Sequence, residues 1–233
     1  MTPDVAAGPG TGPGRIDPAV VAARADAVRQ RIADAGGDPE RVRLLAVTKG
    51  FGPEVAAAAL AAGLADLGES YAQELVAKAP VLAGGPVAPR WHLIGRLQRN
   101  KVRTLATLVH RWDSVDRLEL GREIARRAPG ATVLVQLNLT GEAQKGGCEP
   151  AAVDGLVAQL QAEGLVVEGL MGVGRAGDAD ATRAGFEVLV DAADRLGLPE
   201  RSIGMSGDLE VAVQAGSTMV RIGRDLFGER PPR

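Results

Sequence analysis

Apolar residues recur along this chain in two alternating rhythms. Val21, Ala25, Val28 and Ile32 repeat at helical spacing behind Asp17-Pro18, a cap followed by a first-turn proline, and the pattern stops at Gly36. The next run, "RLLAVT" at 43–48, is short and apolar and breaks at Gly50, which predicts a buried strand. Pro53 then opens a helix through "EVAAAALAA" that stops at Gly63. The beat continues with strand "LADLG" (64–68), helix "AQELVAKAPVL" (72–82), strand "RWHLIG" (90–95) and helix "LQRNKVRTLATLV" (97–109). Strand "HRWDSV" (110–115), helix "RLELGREIARRA" (117–128) and strand "ATVLVQLNL" (131–139) follow. A helix over 150–163, strand "LVVEGLMGV", a helix over 179–196 and strand "RSIGMS" come next. "LEVAVQAG" is a short helix, "STMVRIG" the last strand and "RDLFGER" a final turn.

Eight short strands alternating with helices imply a parallel sheet with both faces covered. In 233 residues this predicts one α/β domain over 17–230, a closed (β/α)8 TIM barrel, with a doubly wound open sheet as the alternative. The ends of the pattern favour the barrel. The eighth strand lacks a full helix after it, and the unassigned helix at 18–35 is free to cover the gap between strands eight and one. Residues 1–16, "MTPDVAAGPGTGPGRI", read as a disordered extension, since Gly and Pro interrupt them before an apolar signal core forms.

Composition narrows the classes. Lys and Arg total 27 against 29 Asp and Glu, so net charge points to neither nucleic acid nor a membrane surface. No apolar run approaches the roughly 18 residues that span a bilayer. A single cysteine, Cys148, excludes an internal disulfide and suits a reducing, cytoplasmic address. Two histidines, His92 and His110, argue against a His-rich metal site.

In a barrel of this kind the site lies at the C-terminal ends of the strands. Those ends read Lys49, Glu69-Ser70, Gly95, Ser114, Asn138, Met171-Gly172, Ser206-Gly207 and Arg221-Gly223. A lysine at a strand exit is ordinarily just solvated, and Gly at a strand-to-helix turn is ordinarily turn chemistry. Here the lysine shares a rim with two glycine-containing ends, "GMSGD" and "RIGRD", whose backbone N–H groups and Ser206 hydroxyl suit an anion. Pyridoxal 5′-phosphate (PLP) needs an amine for a Schiff base, an anion cup and a group facing its pyridine nitrogen. Lys49, the Ser206/Gly223 cup and Arg221 match those needs.

The segments "LLAVTK", "GESYAQE", "WHLIGRLQRNK", "SVDR", "VLVQLNLTGEAQKGG", "GLMGV" and "GMSGDLEVAVQAGSTMVRIGRDLFGER" together closely resemble the pyridoxal phosphate homeostasis proteins, single-domain relatives of the alanine racemase N-terminal barrel. They span nearly all of 44–230 in order. The resemblance implies a PLP-bearing barrel with Lys49 as the Schiff-base lysine and phosphate contacts from Ser206, Gly223 and the Arg224 backbone. It places Arg221 at the pyridine nitrogen, with Met205 and Asn138 also counted as cofactor-binding. Ser70 stands where the family usually has asparagine, so no amide contact is carried over to this position; Thr48 for serine is a mild change.

The role implied is storage, delivery or buffering of the cofactor, with PLP and apo PLP-dependent enzymes as partners and a monomer or weak dimer as the form. An arginine beside the ring nitrogen weakens the cofactor as an electron sink. Two-base racemases of the related fold take a second base from a separate domain, and this chain ends at Arg233 directly after the barrel, with Tyr71 its only tyrosine. The expectation is therefore a non-enzyme. A weak racemase-type PLP enzyme, and a lysine aldolase for a sugar phosphate, are the alternatives. His92 reads as packed rather than catalytic, and Cys148 as a bystander. Asn100 and Lys101 open a helix beside the pocket, Lys145 sits in a solvated loop or gates entry, and Glu69 either lines the pocket or caps the next helix.

Overall fold

Asp17 accepts a hydrogen bond from the Ala19 N–H (2.9 Å) and Pro18 takes the first helical position, so α1 (Pro18–Asp34) begins where the sequence places it. The computed structural model describes residues 16–142 and 145–230. The expected extension therefore lies outside the described residues, apart from Ile16, which packs on the core.

From there strands and helices alternate: β1 (Arg43–Val47), α2 (Pro53–Ala61), β2 (Asp66–Glu69), α3 (Ala72–Leu82), β3 (Arg90–Leu93), α4 (Arg99–Leu105), β4 (Val109–Val115) and α5 (Leu118–Arg127). They continue with β5 (Thr132–Gln136), a 3-10 turn at Pro150–Ala152, α6 (Val153–Ala162), β6 (Val166–Met171), α7 (Ala179–Arg195), β7 (Glu200–Ser202), α8 (Leu209–Gln214), β8 (Met219–Ile222) and α9 (Arg224–Phe227). The strands pair in parallel in sequence order, and β1 closes on β8 in the register Arg43↔Met219 to Ala46↔Ile222. The closed barrel is thus the fold, and the open sheet is excluded. Helix α1 covers the closing seam as expected: its Arg24 donates to the Leu226 carbonyl (3.0 Å) and its Arg31 pairs with Glu210 and Asp225. The four-residue α9 leaves that space open.

Several strands end a residue or two before the apolar pattern does, and two stop three or four residues short. "ATVLVQLNL" stops pairing as a strand at Gln136, because the Asn138 carboxamide oxygen accepts the Thr140 and Gly141 N–H groups (3.3 and 3.1 Å) and turns the chain. "RSIGMS" stops at Ser202, before Gly204 takes a positive φ of 99°.

The main core lies between sheet and helices. Ala46, Leu67, Trp91, Trp112, Val133, Leu170 and Val220 of the strands meet Ile32, Leu75, Leu105, Ile124 and Phe186 of the helices. Each large side chain buried here is worth about 1.5–3 kcal/mol. The barrel floor, at the N-terminal ends of the strands, is instead ionic. Arg111 donates to Asp113 (2.9 Å) and Glu200 (3.0 Å), and Arg43 also pairs with Glu200. His92 lies between Asp113 (3.3 Å) and Asp66 (3.1 Å), and Asp66 takes a two-point pair from Arg90. Burial opposes charge on His92, yet Asp113 and Asp66 outweigh it and hold the imidazole above its usual pKa. His92 is therefore a packed, hydrogen-bonded group inside the barrel.

Candidate functional site

At the opposite end of the barrel, the strand C-termini surround a cavity of about 600 Å³. Its wall includes Val47 at the end of β1 and Lys49 two residues on, Ile94 after β3, Met171 at the end of β6, Met205 to Asp208 after β7, and Arg221, Gly223 and Arg224 from β8 and its exit. Side chains alternate along β1: Val47 and Lys49 face the cavity, while Ala46 faces the helices. Lys49, half-buried, has an amine pKa below the ordinary lysine value. Burial is the main cause, and the positive charges of Arg230 and Arg221 add to it against Glu69 and Glu74. An amine that gives up its proton more readily is a better nucleophile toward a carbonyl.

The peptide that carries Lys49 is bolted from behind. Lys78 of α3 is buried (3% exposed), donates to the Thr48 carbonyl (2.8 Å) and pairs with Glu69 at the end of β2. Thr48 donates its hydroxyl to the same Glu69 oxygen (2.7 Å), and the Gly50 N–H donates to Glu74 (2.7 Å). Glu69 thus neither lines the cavity nor caps a helix; it faces the helical layer. Burial raises its pKa against Lys78 and Thr48, and its Oε2 is buried without a partner.

The β7 and β8 exits form the other wall. Arg221 is buried (4% exposed) and bonds to the Ser202 carbonyl, the Ser202 hydroxyl (2.9 Å) and the Gly172 carbonyl (2.7 Å) rather than to a carboxylate. Burial lowers its pKa, with Asp113 and Asp208 pulling the other way. The Met205 N–H donates to Asp208 (2.6 Å), which shapes the loop. Ser206 accepts the Asp225 N–H at 3.4 Å through its hydroxyl. A Cβ on Gly207 would meet nothing within 4 Å, so there is room above this loop, whereas one on Gly223 would press on the Val47 carbonyl at 3.2 Å. The Arg224 side chain points outward (69% exposed), leaving its backbone to the site.

On the far rim, Lys145 reaches the Gly174 carbonyl (3.1 Å) and Glu142 (2.7 Å), and Arg175 donates to the Thr140 carbonyl. Lys145 is therefore tied across the cavity mouth.

Lys49, Met205, Ser206, Arg221, Gly223 and Arg224 thus meet in one cavity. Asn138 is not among its lining residues, and its side-chain oxygen is engaged in the β5 loop. Ser70 and Tyr71 line a neighbouring recess with Arg96, Gln98, Lys101 and Arg117. Asn100 lines the outer groove beside it. Burial pushes the Cys148 thiol up to about 11, as suits a bystander. Among the described residues no cluster of His, Cys, Asp or Glu could hold a metal ion, and no helix is long and apolar enough to cross a membrane. Sequence reasoning missed Lys78, Ser202 and Arg31. Only the spacing of Glu74 and Lys78 hinted at a pair, and that spacing ordinarily marks an exposed helix face.

Comparison with known proteins agrees with this architecture. Residues 16–231 match the alanine racemase N-terminal domain family. A pyridoxal phosphate homeostasis protein of Pseudomonas aeruginosa is 40% identical over 222 residues, covering 91% of this chain and 94% of its own. One from Deinococcus radiodurans is 39% identical over 213 residues, with 90% and 98% covered. PipY of Synechococcus elongatus, solved both without PLP and with PLP bound, superposes with TM-scores of 0.77 and 0.74 at 32% and 31% identity, over 86% of this chain and all of PipY. Alanine racemase of Bacillus anthracis shares the barrel alone, with a TM-score of 0.68 at 19% identity over 94% of this chain and 58% of the racemase. Matched along almost its whole length, the chain belongs to the alanine racemase N-terminal domain family, within the group of pyridoxal phosphate homeostasis proteins.

Proposed function

We propose that this protein binds pyridoxal 5′-phosphate through Lys49 and holds, buffers and delivers it in the cytoplasm to apo PLP-dependent enzymes. The observation that carries the reading is the convergence in one cavity of a depressed-pKa amine, a hydroxyl-and-backbone cup and a buried guanidinium without a carboxylate partner. This donor set fits the cofactor. Lys49 would make the covalent link, Ser206, Gly223 and the Arg224 backbone would take the phosphate, Met205 would pack beside it, and Arg221 would lie toward the pyridine nitrogen.

When bound, the cofactor supplies an aldehyde that a lysine amine captures reversibly and a conjugated ring that can stabilise charge. The chain's own residues set how far that chemistry goes. Lys78, Glu69 and Glu74 fix the Lys49 peptide, so the amine is presented from a rigid strand end. Arg221 keeps a positive charge in the cavity wall, which disfavours protonation of a basic nitrogen beside it. The described cavity lining offers no tyrosine, histidine or cysteine, and its other acid–base groups besides Lys49 are engaged, Lys145 by Glu142 and the Gly174 carbonyl, Asp208 by the Met205 N–H and Asp178 by the Ala181 N–H, which supports holding over racemisation.

The test adds PLP to the purified protein, reduces with borohydride and maps the modified peptide by mass spectrometry. Lys49 is the labelled residue, and Lys49→Ala takes no label. Incubation with a panel of L- and D-amino acids gives no turnover above free PLP, while an added apo-enzyme gains activity. Turnover well above free PLP would replace the carrier reading with an enzyme. No label at Lys49 would sink both.

A further inference from the structure

Arg31 lies on α1, outside the barrel and 18 residues before Lys49 in sequence, yet it reaches the phosphate end of the site. Its Nε donates to Glu210 at the start of α8 (2.7 Å), its Nη1 to Asp225 at the start of α9 (2.6 Å), and its Nη2 to the Ser206 carbonyl (3.1 Å). Asp225 in turn donates its N–H to the Ser206 hydroxyl (3.4 Å). One guanidinium therefore spans both loops of the cup, and its planar fork fixes their relative position as a flexible ammonium would not.

The ordinary reading of such a cluster is a surface salt bridge that steadies the fold. The side chains of Arg31, Glu210 and Asp225 are 34%, 48% and 27% exposed, and pairs this open add little to stability. Their position gives them another consequence. Glu210 and Asp225 are carboxylates set at the two loops that supply Ser206 and Arg224, where a phosphate would meet like charge. We propose that Arg31 is a positioning residue for the cofactor's phosphate: it sets the spacing between the Ser206 loop and the α9 start, and it neutralises the two acids behind them. The inference rests on the PLP-binding reading above. Each of the three nitrogens of Arg31 donates to a protein group and Arg31 is not among the cavity-lining residues, so it acts through these groups rather than by touching the ligand.

The test compares PLP with pyridoxal, which lacks the phosphate but carries the same aldehyde. Arg31→Met should weaken PLP capture about ten- to hundredfold, the equivalent of one charge-assisted hydrogen bond, while pyridoxal capture at Lys49 stays within about twofold. Adding Glu210→Gln to Arg31→Met removes one repelling acid and should restore part of the PLP affinity. The thermal midpoint without ligand should hardly move. Equal loss of PLP and pyridoxal, or full retention of PLP, would overturn the proposal. A second arm needs no PLP chemistry: inorganic phosphate should raise the thermal midpoint of the wild type and not of Arg31→Met. If the wild type takes no PLP but keeps this phosphate shift, the function reading falls and the role of Arg31 at an anion site stands. If the wild type shows no shift, or the variant shows the same one, the role of Arg31 is refuted.

Discussion

Replacing Arg221 with methionine isolates what it costs to keep a charge inside the cavity wall. The guanidinium is buried and bonds to two carbonyls and a hydroxyl, with Asp113 and Asp208 attracting it only from further off. Methionine keeps the apolar stem but carries no charge and stops short of the guanidinium's position. Two terms then oppose each other. Stranding the Gly172 carbonyl and the Ser202 hydroxyl costs about 1–3 kcal/mol each, while the Ser202 carbonyl keeps the Gly172 N–H (3.2 Å). Removing an ion without a close counter-charge recovers a desolvation penalty of several kcal/mol. The net change in stability of the PLP-free protein is therefore expected within about 2 kcal/mol of zero, in either direction. Urea unfolding followed by the fluorescence of the buried Trp91 and Trp112 gives the midpoint shift at constant slope. On addition of PLP the variant should still be labelled at Lys49, but with a visible band displaced from that of the wild type. A loss above about 4 kcal/mol would refute the reasoning, because Arg221 would then be a structural post whose partners cannot be spared.

Two further outcomes follow from the ionic groups. Lys78→Met leaves Glu69 buried and unpaired, so stability should fall by about 3–5 kcal/mol, with Lys78→Met/Glu69→Gln recovering much of it and urea midpoints deciding; equal losses in both would show that the ion pair is irrelevant. His92 has a folded-state pKa raised above its unfolded value, so its contribution is fully present below about pH 6.5 and is lost as pH rises through the folded pKa. The stability gap between wild type and His92→Gln should therefore narrow as pH rises from 6 upward, by at most about 1.4 kcal/mol per pH unit, and a gap that widens would contradict the assignment of Asp113 and Asp66 as its partners.

The strands were legible because each is a short apolar run bounded by glycine, proline or charge, as strands buried on both faces must be. Closure was legible from the ends: a helix with no strand before it and a last strand with only one turn after it can satisfy each other across β8 and β1. Lys49, Ser206, Arg221 and Gly223 could be placed on one rim because strand C-termini in this topology share a face. Asn138 satisfied the same rule of position, but an asparagine can spend its side chain on its own backbone, and only the three-dimensional turn shows that it does. The apolar Leu137 and Leu139 hid that turn by continuing the strand pattern. Lys78 and Arg31 escaped notice for another reason. Their partners lie across an element boundary or at sequence separations of 175 to 194, and nothing local in a chain distinguishes a lysine that will be buried from one that will be wet.

The ionic barrel floor bears on how the chain assembles. Its charges are divided unevenly along the sequence: Arg43, Arg90, Arg111 and His92 come from the first four strands with Asp66 and Asp113, whereas β6 and β7 bring only the acids Glu168 and Glu200. The first half of the barrel thus presents surplus positive charge at its base, and the second half supplies the negative complement. Arg43 and Arg111 meet Glu200 across 157 and 89 residues, so Glu200 finds both of its cations only when β7 returns to the first half. A strand β7 docked out of register would leave Glu200 without Arg43 and Arg111. A floor of branched aliphatic side chains would tolerate such errors. This one couples docking of the last strands to the first and favours a single register at closure.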